Sequence, residues 1–216
     1  MCDLRHDHAH EHYGFLVDHE RLRALVAATR DASERIADVR RRLDALRPAF
    51  ADLLAADDWL PEQYGQPDLK SGMGGGIGQY ALYRAHDGSL CLFSLVIPPG
   101  VSTPVHDHLA WGVIGVYRGR QHETIYRRLD DGSDAEHAQL EVVREQEVNT
   151  GEFCTLVPPT DDIHYVKTVS AMPSVSIHLL ANDTACVWRH RFDPAAGTVA
   201  GFRSGYSNAP CPEERT

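Results

Sequence analysis

From Gly100 to Gly119 the chain reads GVSTPVHDHLAWGVIGVYRG, and this stretch restricts the fold more than any other. Its β-branched and aromatic residues, broken by Pro104 and by several glycines, suit short strands joined by turns. His106 and His108 stand two apart. On a strand, side chains two apart leave the same face, so both imidazoles enter one space. Neutral imidazole is a preferred ligand of Fe, Zn, Cu and Ni, so the pair makes half of a metal site. A third candidate, His164, follows a Pro158-Pro159-Thr160-Asp161-Asp162 turn and opens a further β-rich run. A strand-entry loop is where a ligand at the mouth of a barrel sits.

The rest of the chain divides into three regions that form one structural domain. Residues 1–17 carry His6, His8, His10 and His12 on alternate positions and read as a polar, mobile terminus without assigned chemistry. Residues 18–60 follow a helical period. Leu22, Leu25 and Val26 make one apolar stripe, and Ile36, Val39, Leu43 and Leu46 make another behind an Asp31-Ala32-Ser33-Glu34 start signal. Pro48 is expected to open a third short helix carrying Phe50, Leu53 and Leu54. These helices should pack on the outside of a barrel formed by residues 61–216. There, QYALYRA and SLCLFSLVI flank His86-Asp87-Gly88 as a hairpin, and further turns fall at Arg118-Gly119, Asp130 to Ser133, Asn149 to Gly151 and Met172-Pro173. Many short strands at this spacing predict a mainly β sandwich or barrel. The GMGGGIG run at Gly72 to Gly78 has no following Gly-Lys-Ser/Thr and reads as a flexible entry loop, not a phosphate cradle.

Composition narrows the function. With 216 residues, 43% hydrophobic and a formal net charge of −10, the chain can bury one good core and has no basic surface beyond Arg40, Arg41 and Arg42. That arginine run is most simply a solvated helix face, so nucleic acid is not an expected partner. No apolar run approaches the ~18 residues that span a bilayer, and MCDLRHDHAH has no apolar leader core, so a soluble, unexported protein with no membrane partner is expected. The five cysteines, at 2, 91, 154, 186 and 211, show no paired pattern and suit a reducing cytoplasm.

The glycine spacing makes the histidine pattern specific. Gly100, His106, His108, Gly112 and Gly119 match the first cupin motif in register, and Gly151, Pro159, Asp161 and His164 match the second. Within the cupins the chain resembles the thiol dioxygenases, the group of cysteine dioxygenase and 3-mercaptopropionate dioxygenase, over roughly residues 59 to 200. The resemblance implies a double-stranded β-helix, or jelly-roll barrel, holding one non-haem Fe(II) through His106, His108 and His164. Most cupins place a glutamate four residues after the second histidine, and this chain has Gly112. Three neutral ligands leave a dication its full charge, which an incoming thiolate can balance beside dioxygen.

The same resemblance suggests residues around the metal. Cysteine dioxygenases carry a carboxylate-binding arginine near the place of Tyr80, with Gln79 beside it; 3-mercaptopropionate-type enzymes have glutamine in that region and a late arginine, matched here by Arg189 in WRHRFDP. Arg84 is a further candidate. Of the family's Ser-x-His-x-Tyr relay, Ser176 and His178 are present and Leu180 stands in place of the tyrosine. Val113 excludes the Cys-Tyr cross-link of mammalian cysteine dioxygenase. Tyr83, Tyr165, Trp111 and Tyr126 are candidates to replace the lost hydroxyl. The expected reaction is oxidation of a small sulfur compound by O2 to a sulfinate, by a monomer or small homo-oligomer. The altered relay keeps other sulfur substrates open, a thione such as ergothioneine among them. The same ligands also suit a different metal-dependent cupin reaction, such as diketone dioxygenation or isomerisation, and the barrel suits a non-catalytic ligand-binding cupin.

Overall fold

The computed structural model describes residues 12–212. His6, His8 and His10 lie outside the described residues. Two helices and twelve strands follow one another: β1 (Gly14–Phe15), α1 (Glu20–Arg35), α2 (Val39–Ala55), β2 (Gly78–Arg84), β3 (Cys91–Ile97), β4 (Val105–His106), β5 (Gly112–Arg118), β6 (Arg120–Arg128), β7 (Leu140–Asn149), β8 (Phe153–Leu156), β9 (Ile163–Thr168), β10 (Ser174–Leu180), β11 (Arg189–Asp193) and β12 (Thr198–Phe202). The strands form two six-stranded sheets, ordered β1-β2-β3-β10-β5-β8 and β12-β11-β4-β9-β6-β7, with antiparallel pairing throughout. This is the cupin sandwich, mainly β with an N-terminal helical segment.

Alternation along β3 shows how the first sheet is buried on both sides. Cys91, Phe93, Leu95 and Ile97 point between the sheets with Ile114, Leu156, Val166 and Leu180. Leu92 and Val96 point the other way, onto a second core shared with Val113, Ile177 and Leu179 and with Leu22, Leu25, Leu43, Leu46 and Phe50 of the helices. A strand buried on both faces reads as a continuous apolar run, which SLCLFSLVI is. The turn at Gly88, with φ +72°, closes the β2–β3 hairpin, and Ala85 N–H donates to Leu90 O at 2.8 Å.

The helical region differs from expectation in two places. Asp31 to Glu34 is the last turn of α1, and α2 starts instead at Asp38, whose Oδ1 accepts from Arg41 N–H at 2.8 Å. Pro48 opens no third helix, because α2 runs through it from Val39 to Ala55. Interior proline costs a helix about 3 kcal/mol. Here it sits on the exposed side, where water can serve the carbonyl of Asp44, while burial of Leu43, Leu46, Phe50, Leu53 and Leu54 on the other side carries the helix across.

Both chain segments beyond the barrel are tied to β2. Phe15 pairs with Tyr83, and Ser207 N–H donates to Gln79 O at 2.7 Å. The Asn208 amide bonds both backbone groups of Ala81, at 2.8 and 3.0 Å. Arg84, wholly buried, donates through Nη1 to His12 O at 3.2 Å and to Pro210 O at 3.0 Å. Cys186 and Cys211 form a disulfide, with Cys91 and Cys154 free. This corrects the reading of the cysteines as unpaired and removes their support for a reducing compartment. No helix of the described residues is long and apolar enough to cross a membrane.

Candidate metal centre

The centre is built on a cross-strand pair. His106 on β4 and His164 on β9 are direct antiparallel partners, so their side chains leave the same face of the second sheet, toward the first. His108 follows β4 and is aimed by Asp162, whose two carboxylate oxygens accept from the backbone N–H groups of His108 and Leu109, both at 3.1 Å. Leu109 holds φ +54°, the one non-glycine residue with positive φ among the described residues, so Asp162 fixes a backbone state that leucine resists. The three rings form a near-equilateral triangle, with centroids 4.8, 4.9 and 4.8 Å apart, and their ligand atoms lie within 4.8 Å of one another.

Each ring is oriented from behind. His106 Nδ1 contacts Pro104 O at 2.9 Å, His108 Nδ1 contacts Asp162 O at 3.4 Å, and His164 Nδ1 contacts Glu123 Oε1 at 2.8 Å. All three partners are oxygens without a proton to give, so each Nδ1 carries the hydrogen and each Nε2 lone pair is left to the shared space. Burial, reinforced by the neighbouring rings, holds His106 and His108 well below the usual imidazole pKa. Neutral, tautomerically fixed imidazoles are what a borderline dication such as Fe, Co or Zn takes, so the donor set fits a metal. Burial pushes the Glu123 carboxyl upward, but hydrogen bonds from His164 and Gln146 prevail and hold it below its ordinary value. Asp162 goes the other way, raised to about 6, chiefly by burial and then by Asp107.

The inner face of the first sheet closes the site from across. Ser176 Oγ and His178 Nε2 are hydrogen-bonded at 2.9 Å, and the His178 ring stacks on Phe93 at 4.5 Å and stands 6.5 Å from the His108 ring. His178 Nδ1 is buried without a hydrogen-bond partner. Leu180, two residues on and on the same face, is fully buried and packs into this core. Between the sheets lies a small cavity lined by His106, His164, His178, Leu95, Ile114 and Cys154, with room for about one water-sized guest.

The candidate substrate residues part company. Arg189 is buried, its charge reaches His106, His108 and His178, and it donates to Thr184 O at 2.9 Å, Asp107 O at 2.8 Å and Ser204 Oγ at 3.0 Å. Burial lowers its pKa to about 10. Gln79 is buried with Nε2 unpartnered, and its partner across the sheet, Leu95, faces the interior. Tyr80 turns outward, stacks on Tyr64 and donates to Gln66 O at 2.9 Å. Arg84 is committed to Asp183, through Nε at 3.0 Å and Nη2 at 2.7 Å, and to the two chain segments already described. Neither Tyr80 nor Arg84 is therefore placed to hold a ligand at the three histidines. The hydroxyl candidates also face away. Tyr83 bonds Arg30, Trp111 stacks with Arg42 on the helix side, and Tyr126 and Tyr165 pack with Ile163 and Phe192 on the outer side of the second sheet.

Two residues went unnoticed in the sequence. Glu123 lies 41 residues before the histidine it holds, and the spacing gives no hint of the pairing. Arg191 is the direct cross-strand partner of His106, so its side chain leaves β11 on the metal-facing side, and it is exposed.

No family model matches the chain. Among solved structures it is similar to recombinant oxalate oxidase in complex with glycolate, at 18% identity and a TM-score of 0.42, over 60% of this chain and 62% of that one. It is similar to the Schizosaccharomyces pombe Cnp3 cupin domain at 12% identity and a TM-score of 0.38, over 50% of this chain and 62% of that one. It is also similar to the formate complex of Lactobacillus farciminis oxalate decarboxylase, at 16% identity and a TM-score of 0.33, over 44% of this chain and 25% of that one. The chain thus spans about three fifths of the length of the first two structures. Sheet order and strand pairing make it a two-sheet antiparallel sandwich that fits the cupin architecture, and the three histidines are a group that could hold one metal ion.

Proposed function

We propose that the protein is a non-haem iron dioxygenase that adds both atoms of O2 to the sulfur of a small thiol, giving a sulfinate and releasing the thiol proton to solvent. The observation that carries this reading is the ligand set. Three neutral imidazoles converge with no carboxylate among them, so a dication there keeps its charge for an anionic sulfur ligand. Fe(II) held by His106, His108 and His164 would supply the redox chemistry that joins dioxygen to sulfur.

The chain's own residues then bind and orient. Arg189 uses three of its five N–H donors on protein oxygens and keeps two for a carboxylate, and at a pKa of about 10 it is cationic at neutral pH. Arg191, one strand from His106 and on the same face, adds a second positive charge at the rim. A thiol carrying at least one carboxylate fits this side of the site. His178, fixed by Ser176 and Phe93, lines the pocket with its Nδ1 unpartnered and is the group to bond a polar part of the substrate. Leu180 leaves the wall beside it apolar where a tyrosine would have placed a hydroxyl.

The test is oxygen uptake by the Fe(II)-loaded protein with cysteine, 3-mercaptopropionate, cysteamine, mercaptosuccinate and ergothioneine in turn. A sulfinate with both oxygens drawn from labelled dioxygen is the expected product. Iron-loaded protein that consumes no oxygen with any of them would overturn the reading.

A further inference from the structure

Glu123 is a buried carboxylate that backs one of the three histidines. It lies on β6 facing inward, diagonal to His164 on β9, and is 4% exposed. Its Oε1 accepts from His164 Nδ1 at 2.8 Å and from Cys154 Sγ at 3.8 Å, and its Oε2 accepts from Gln146 Nε2 at 2.6 Å. Every partner is a donor, so the group serves as an acceptor only, an ionised carboxylate. Among the described residues it is bridged to no lysine or arginine, and its one ion-pair contact is the ring of His164. Hydrogen bonds hold it as the anion, and the exposed Arg144 adds a favourable charge from outside the site. A dication one imidazole away would balance it.

Asp162 is differently used: both its carboxylate oxygens accept from backbone N–H groups, its carbonyl contacts His108 Nδ1 at 3.4 Å, and its Oδ1 stays 3.9 Å from that nitrogen, beyond hydrogen-bond distance. Glu123 is thus the one carboxylate hydrogen-bonded to a ligand imidazole. It stands in a protein whose coordination sphere lacks the acid that most cupins place at the position of Gly112.

We propose that Glu123 supplies, through His164, one negative charge from outside the coordination sphere, which leaves a bound dication a net positive charge for an anionic ligand. It is a positioning residue that keeps His164 an Nε2 donor, strengthens that donor, and serves as the buried counter-anion of the bound dication. This rests on the metal reading of the three histidines and not on which thiol is oxidised.

The test compares wild-type protein with Glu123→Gln and Glu123→Ala. Glutamine can still accept from His164 Nδ1, and the half-exposed Gln146 amide can turn its oxygen toward the new NH2 group, so the charge is removed while the hydrogen bonds are kept. Competition titration with Co(II), followed by its visible absorption, should show the glutamine variant binding 10- to 100-fold more weakly, the range found for lost outer partners of metal-bound histidines. The metal-free glutamine variant should stay folded and unfold within a few degrees of the metal-free wild type, so that the weaker binding is read on folded protein. Equal Co(II) affinity in wild type and Glu123→Gln would overturn the proposal. So would a metal-free variant that unfolds early and regains full affinity once its folded fraction is counted, since that describes a packing role only. Wild-type protein that takes up no Co(II) or Fe(II) would sink the metal reading and this inference with it. Metal uptake without thiol oxidation would sink the thiol dioxygenase alone.

Discussion

Gly112 and the carbonyl of Leu179 approach so closely across β5 and β10 that a Cβ on residue 112 would run into that backbone oxygen and into Leu180 Cδ2. The position where most cupins carry a glutamate is therefore closed to any side chain here. Gly112→Glu will not add a fourth ligand. It will disrupt the pairing of β5 with β10, as backbone on both sides must move, and Gly112→Ala will already destabilise the fold by on the order of 3 kcal/mol or prevent its accumulation. Soluble Gly112→Glu protein with wild-type melting and tighter metal binding would contradict this.

The buried histidines set an acid limit on stability. Burial first, then neighbouring charges, depresses His106, His108 and His178 well below 6.5 in the folded state. A group with a depressed folded pKa takes up protons only in the unfolded chain as pH falls below its unfolded value. The metal-free protein should be most stable above about pH 6.5 and should lose about 1.4 kcal/mol per pH unit for each such histidine below it. Asp162, raised to about 6, pulls the other way between pH 4 and pH 6, one proton against three. Urea midpoints measured from pH 8 down to pH 5 should therefore fall, and a flat profile would refute the neutral burial of these rings.

Arg189 carries two duties that can be separated. It satisfies Thr184 O, Asp107 O and Ser204 Oγ inside the protein, so Arg189→Ala should destabilise by about 2 to 4 kcal/mol whatever it does to substrate. If it also clamps a carboxylate, kcat/KM should fall by a further factor of at least about 10 for 3-mercaptopropionate and little for cysteamine, which has no carboxylate. Equal losses on both thiols would reduce Arg189 to a structural role.

Leu180 and the unpartnered His178 Nδ1 lie two residues apart on one face of β10. A tyrosine at 180 would bring a hydroxyl toward that nitrogen, so Leu180→Tyr should shift preference toward cysteine or 3-mercaptopropionate, and a gained hydrogen bond discriminates more than a methylene does. Wild-type protein that already oxidises one of these two as its best substrate would show that residue 180 does not set specificity.

What was legible in the sequence is what repeats locally. The two-residue step from His106 to His108, the glycines around it and the alternation along β3 follow from strand geometry, and from them the barrel and the gathering of three histidines could be anticipated. The parts that depend on distant partners were not. Glu123 meets its histidine 41 residues later, and Cys186 meets Cys211 at a separation of 25 residues, across β11 and β12. Pro48 reads locally as a boundary, yet the buried stripe on the opposite side of α2 overrides it. Arg84 and Arg189 look alike as candidate anchors until the acceptors around each are known.

The lacing of β2 has a consequence for how the molecule behaves in a crowd. An open strand edge is a template on which another chain can grow. The outer edge of β2 is covered at one end by Phe15 and at the other by Ser207 and Asn208, with Arg84 gripping the carbonyls of His12 and Pro210 behind them. On the other sheet, the long edge strand β7 exposes Glu141, Arg144, Glu145 and Glu147, charges that resist an incoming strand. The segments flanking the barrel thus act as selvedges, and trimming the chain at Tyr206 would remove none of the three histidines while opening β2 to edge-to-edge aggregation.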